Sequence, residues 1–217
     1  MERTSKEKVL KKVRKALIDQ SPELFPGLDF TKNIYNLPDD SDQGLDIAFA
    51  AQFTANDGKF IFCEDATAFV SAFAAIAKEN NWKNIHTLEP TVQALLKKVG
   101  IAYTSLDSEM EQMDAGITYC EFLIARSGSI MLSSRQVSGR RMAAYPPAHI
   151  VIGYANQLVM HVQEALNGVK KRYASLPSLI TTITGPSRTA DIEKTLILGA
   201  HGPKELYVFL LDKDISE

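Results

Sequence analysis

From Gly58 onward the chain alternates short β-rich runs with stretches of helical periodicity, and this alternation limits the fold more than any other feature. Lys59 to Cys63 reads as a strand. Asp65 caps a helix in which Phe69, Phe73 and Ile76 recur at i, i+4 and i+7. Asn84 to Leu88 reads as a strand. Pro90 then opens a helix with Val92, Leu95, Leu96 and Val99 on its apolar face, and Gly100 closes it. Ile101 to Thr104 reads as a further strand, and Ile117 to Ile124 fits either type. Ser129 to Ser133 reads as a buried strand and His149 to Tyr154 as the clearest one. Asn156 caps an expected helix through Val169, with Leu158, Val162, Ala165 and Leu166 inward, and Leu206 to Leu211 is the final strand. Such an order predicts an α/β fold, a mostly parallel sheet with helices on both faces. In sheets of that kind ligands bind outside the carboxyl ends of the strands.

The residues before Gly58 follow another pattern. Lys6 to Asp19 is amphipathic, with Val9, Leu10, Val13 and Leu17 on one side and lysines on the other, and Ser21-Pro22 ends it. Pro22, Pro26-Gly27 and Pro38 then punctuate the chain up to about Ala50. The expected division is an N-terminal helical arm and connector over 1–50 and an α/β core over 51–217. An isolated helix of this length is marginal in water, so the arm is expected to cap the core.

Composition narrows the partners. Lys+Arg number 24 against 26 Asp+Glu, a net charge of −2, which leaves no basic surplus for a phosphate backbone. No nucleic acid is therefore expected. No apolar run approaches the roughly 18 residues of a membrane-spanning helix. The first residues are charged, without the apolar stretch of a signal peptide, so a cytoplasmic location is expected. Cys63 and Cys120 each sit in an apolar run, where a free cysteine behaves as a small hydrophobe. Two cysteines fall short of the four ligands that an iron–sulfur cluster or a structural zinc ion takes. Neither a metal nor a cofactor is expected in this chain.

The chemistry-bearing residues crowd into Gly185-Pro186-Ser187-Arg188-Thr189-Ala190-Asp191-Ile192-Glu193 and Gly199-Ala200-His201-Gly202-Pro203. Gly-Pro-Ser ahead of a helical turn would present backbone N–H groups to an anion, and Arg188 adds a planar fork for a carboxylate or phosphate. Asp191 and Glu193 are placed to orient Arg188, bind a hydroxyl or act as acid and base. His201 titrates near neutrality and suits a proton shuttle. The same residues fit a plain reading in which Gly-Pro marks a turn, Ser187 or Thr189 caps a helix, and Arg188 pairs with Asp191 structurally. Ala125-Arg126-Ser127-Gly128-Ser129-Ile130 forms a second, strand–turn–strand segment with hydroxyls. Ser138-Gly139-Arg140-Arg141 supplies further arginines ahead of the best strand, and His149 is expected to be packed and hydrogen-bonded. The sequence contains no Gly-x-Gly-x-x-Gly, no P-loop and no Gly-x-Ser-x-Gly elbow.

These segments, with Pro147-Ala148-His149-Ile150, resemble the LUD-domain family in its lactate utilization protein C branch, over about residues 55 to 212. The turn reads Gly128-Ser129 where the family more often shows Gly-Thr, and the hydroxyl is kept. The resemblance implies a fold similar to the sugar-phosphate isomerase and CoA-transferase-like superfamily. It also implies a subunit or accessory role in oxidising L-lactate to pyruvate with iron–sulfur partner proteins, which would carry the clusters. It carries over no catalytic residues.

The expected site is therefore read from chemistry alone. His201 and Asp191 are the catalytic candidates, and Gly185, Ser187, Arg188, Thr189, Glu193, Gly128, Ser129 and Arg141 the residues binding a small carboxylate or phosphorylated ligand. Two alternatives stand beside it: a stand-alone cyclo-ligase-like or acyl-transfer enzyme of the same superfamily, and a non-catalytic scaffold for the iron–sulfur partners.

Overall fold

The computed structural model describes residues 4–18, 44–138, 141–189, 197–198 and 202–212. The chain divides into two compact units, 1–40 and 41–217. In the first, helix α1 (Ser5–Ile18) opens on a reciprocal cap: the Thr4 hydroxyl accepts the Glu7 N–H at 3.4 Å while the Glu7 carboxylate accepts the Thr4 N–H at 3.1 Å. Val9, Leu10 and Val13 are exposed.

The second unit is built on a five-stranded parallel sheet of β1 (Lys59–Cys63), β2 (Ile85–Thr87), β3 (Ala115–Tyr119), β6 (Ala148–Tyr154) and β11 (Glu205–Leu211), in the order β1-β11-β6-β3-β2. Because side chains alternate across a strand, in-register residues share a face. Ile117, Ile150, Tyr207, Phe209 and Cys63 bury one face under α3 (Ala66–Glu79) and α4 (Pro90–Lys98). Asp65 caps α3 by accepting the Ala68 N–H at 2.8 Å, as expected from sequence. Val151, Leu206, Val208 and Leu210 bury the other face.

Two things cover that second face: helix α2 (Leu45–Ala55) and a four-stranded sheet of β4 (Phe122–Ile124), β5 (Ser129–Ser133), β7 (Leu158–Val159) and β8 (Ile180–Ile183), ordered β7-β4-β5-β8. Helix α5 (Val162–Arg172) lies on the far side of the small sheet through Ala165 and Val169. The fold is α/β with a mostly parallel main sheet, as the alternation predicts.

Four local readings are corrected. The stretch up to about Ala50, read as connector, contains most of α2, which is apolar nearly all round and so lacks the two-faced signature of a surface helix. Ile101 to Thr104 narrows to one bridge, in which the Thr104 N–H reaches Ile85 O at 2.8 Å and the Thr87 N–H reaches Thr104 O at 3.0 Å. The helix expected from Asn156 begins only at Val162. Gln157 accepts the Tyr154 N–H at 2.8 Å and donates to Cys120 O at 2.7 Å, so the chain is held in a short turn and then pairs with β4 as β7. Ile180–Ile183, left out of the sequence reading, is a strand whose residues are only half-buried or exposed.

Candidate functional site

The two motifs distant in sequence meet at the end of α2. Asn56, just past that helix, donates its side-chain amide to Gln52 O at 2.8 Å and to Ser127 O at 3.1 Å. Its own carbonyl accepts Arg188 Nη2 at 3.1 Å. The same Nη2 donates to the carboxylate of Asp57, a residue in the left-handed conformation with φ +62°. Two glycines allow this approach. Gly128 (φ +59°) lies on the backbone of Gln52 and Phe53, and Gly185 (φ +82°) lies on the carbonyl of Asn56, so a Cβ at either would strike main chain.

Buried Ser129 links the motifs by hydroxyls. Its Oγ donates to Ser127 Oγ at 2.7 Å and lies 2.6 Å from Thr184 Oγ1. A hydroxyl has one proton, so Thr184 donates to Ser129 and Ser129 to Ser127.

Beyond Gly185 the chain does not turn into a helix at once: Arg188–Thr189 is a short strand (β9) paired with Ile197–Leu198 (β10). Ser187 donates its N–H to Pro203 O at 2.8 Å, so that group is not open to an anion. Pro203 precedes β11, Asp57 precedes β1, and the Lys204 N–H reaches Pro147 O ahead of β6 at 2.8 Å. Gly185 to Arg188 therefore sits at the amino ends of the main sheet, opposite to where open α/β sheets usually hold ligands.

The remaining expected residues fall elsewhere. Arg141 is exposed on a separate turn whose Met142 packs against Gly116 of β3. Asp191, Glu193 and His201 lie outside the described residues. His149 is fully buried with Nε2 2.9 Å from Thr118 Oγ1, and burial pushes its pKa down to about 4. It is a neutral core histidine, as expected. Burial, with the Glu121 carboxylate adding to it, pushes the Cys120 thiol up to about 12, far from a nucleophile's range.

Sequence reasoning missed two buried carboxylates at the opposite, carboxyl ends of the strands. Glu121 follows β3 and accepts from Ser133 Oγ at 2.6 Å, Tyr173 OH at 2.7 Å and Arg172 Nη1 at 2.5 Å. Glu89 follows β2, is 5% exposed, and accepts from the Ser138 hydroxyl. Nearby, Thr91 Oγ1 lies 2.7 Å from Tyr119 OH, and the Tyr119 ring stacks on Tyr154 with centroids 5.9 Å apart. The one available signal was position: Glu89 immediately follows the strand-like run Asn84 to Leu88, whereas Glu121 lies inside the run Ile117 to Ile124. Among the described residues no three His, Cys, Asp or Glu side chains group as a metal site, and no helix is long and apolar enough to cross a membrane.

Fold and site together define a layered α/β protein whose two glycine turns are stitched together beside one arginine. A profile of the LUD domain matches residues 48–211, and the chain belongs to that family. It is 36% identical over 107 residues to lactate utilization protein C of Bacillus subtilis (strain 168), a match spanning 48% of this chain and 45% of the relative. Against lactate utilization protein C of Halalkalibacterium halodurans it is 36% identical over 112 residues, 50% of this chain and 49% of the relative. An uncharacterized protein of Neisseria meningitidis serogroup B is 34% identical over 102 residues, 47% of this chain and 44% of that protein. The matches thus span about half the length of these relatives. The crystal structure of a DUF162 family protein from Deinococcus radiodurans superposes with a TM-score of 0.57 at 24% identity, covering 77% of this chain and 96% of that one. That likeness concerns the fold.

Proposed function

We propose that this chain is a subunit or accessory protein of an iron–sulfur-dependent system that oxidises L-lactate to pyruvate. Membership of the LUD family and relatives named for lactate utilization support the reading. The structural observation that carries it is the convergence of Ser127 to Ser129 and of Gly185 to Arg188 on the end of α2, which brings a guanidinium and a line of hydroxyls to the same end of that helix. Arg188 has only Nη2 committed, and its Nε and Nη1 have no partner among the described residues. On this reading those donors take the lactate carboxylate. On the same reading Ser187, Thr189 and Asp191 shape the pocket and His201 is the candidate base. The iron–sulfur partner proteins carry the electrons away, and this chain itself needs no cofactor.

The test is lactate-dependent dye reduction by the anaerobically reconstituted partner proteins. Activity should require this chain and should fall strongly with Arg188→Ala in a protein that keeps its circular dichroism spectrum. Partners that oxidise lactate equally well alone would sink the subunit reading. One observation favours a scaffold instead: Arg188 already ties Asp57 and Asn56 to the 185–188 turn. A scaffold would be required for activity yet indifferent to Arg188→Lys.

A further inference from the structure

We propose that the crevice between the carboxyl ends of β2 and β3 is a ligand site for a neutral, polyhydroxylated small molecule, with Glu89 as its principal hydrogen-bond acceptor. This does not rest on the lactate reading, which concerns the opposite end of the sheet.

Topology opens the crevice. After β2 the chain passes into α4, on the face buried by Ile117, Ile150 and Phe209. After β3 it passes into β4 and the small sheet, on the face buried by Val151 and Val208. Neighbouring parallel strands whose connections leave to opposite faces make a switch point, where open α/β sheets hold ligands. Glu89 and Thr91 line it from the start of α4, and Tyr119 from the end of β3.

The hydrogen-bond inventory then singles out Glu89. A carboxylate has about four lone-pair sites, and a buried one short of partners is destabilising. Glu121, 1% exposed, meets this demand with three side-chain donors, one of them an arginine. Glu89, 5% exposed, has one, the Ser138 hydroxyl on Oε1, and Oε2 has no partner among the described residues. Its backbone is fixed as well: the Glu89 N–H is donated to Thr87 Oγ1 at 3.2 Å, and that hydroxyl donates to Ile117 O at 3.1 Å. Glu89 Oε2 is thus a firmly positioned acceptor that is not sealed in the core and is open to a ligand.

The surroundings select the ligand. Glu89 only accepts, so the ligand must donate. Ser138 has committed its proton to Glu89, so its oxygen also accepts. Thr91 and Tyr119 add two hydroxyl oxygens, and the Tyr119 ring is held by stacking on Tyr154. This mixture of acceptors and donors suits ligand hydroxyls, which both give and take. A free carboxylate such as lactate would meet the charge of Glu89.

The test follows the melting temperature of the full chain against millimolar D-ribose and xylitol, with lactate and ethylamine as comparison arms. The expected result is a saturable rise with a polyol, kept in Arg188→Lys and weakened about tenfold or more by Glu89→Gln, as for a hydrogen bond to a charged group. Saturation separates binding from the general stabilisation polyols give by exclusion. If Glu89→Gln does not fold, Tyr119→Phe keeps the ring, removes one hydroxyl and must weaken the same response. Absence of a saturable shift with either polyol, or a shift untouched by the variants, overturns the proposal. A response to ethylamine or lactate alone that Glu89→Gln abolishes overturns it too, because the site would then take an ammonium or a carboxylate.

Discussion

His149 titrates where no water reaches it. Its pKa is lowered by burial from 6.5 to about 4, so the unfolded chain binds a proton that the folded chain refuses between those values. The sign follows: stability is whole above pH 6.5 and is lost progressively as the pH falls toward 4, by up to about 3 kcal/mol from this group. Melting temperatures measured across that window should fall in the wild type and fall less steeply in His149→Gln; parallel curves would show that His149 is not the group responsible. Gly128 makes a conformational demand instead of an electrostatic one. At φ +59° with the Phe53 backbone against its Cα, Gly128→Ala should cost at least about 2 kcal/mol in urea unfolding. Gly100, also at positive φ (+74°) but with open space around it, should tolerate alanine at a smaller cost.

At the scale of elements, the Glu121 carboxylate adds side-chain links among three. Through its carboxylate it ties the β3–β4 corner to β5 by Ser133 and to the end of α5 by Arg172 and Tyr173. Glu121→Ala leaves two hydroxyls and a guanidinium to find new partners, and should destabilise by about 3 kcal/mol. Hydrogen exchange should show α5 opening before the parallel sheet; uniform loss of protection would contradict this linking role. Elements of this kind also mark how far the sequence could be read. Strands β1, β5, β6 and β11 and helices α3 and α4 were legible because their periodicity and caps are local. β7 and β8 were not, since a two-residue strand and a half-exposed one carry no period and exist only through their pairing with β4 and β5. The site divides in the same way. Gly128 and Gly185 announce turns in the sequence, but that Gly128 lies on Gln52 and Phe53, Gly185 on Asn56, and that Arg188 pairs with Asp57, depends on contacts more than 70 residues apart.

The scale of the whole molecule turns on where the core begins. The family match starts at residue 48 and the second compact unit at Ser41, and the physical boundary between them is set by α2. Phe49 and Phe53 are fully buried, their rings stacked at 5.3 Å, and they pack under Val151, Leu206 and Val208 on the second face of the main sheet. Removing a buried phenylalanine costs about 3–5 kcal/mol, so losing both approaches or exceeds the 5–15 kcal/mol that holds a typical domain together. α2 also supplies Asn56 and Asp57, the residues on which the 185–188 turn is fastened. A chain beginning at Ser41 keeps the whole second unit, α2 included, and should therefore unfold in one cooperative transition close to that of the full protein. A chain beginning at Gly58 should yield no cooperative transition, and the 185–188 segment should become open to proteolysis. Cooperative unfolding of the shorter chain would show that the second face of the sheet closes without α2. A large loss of stability in the longer one would place part of the core's support within residues 1–40.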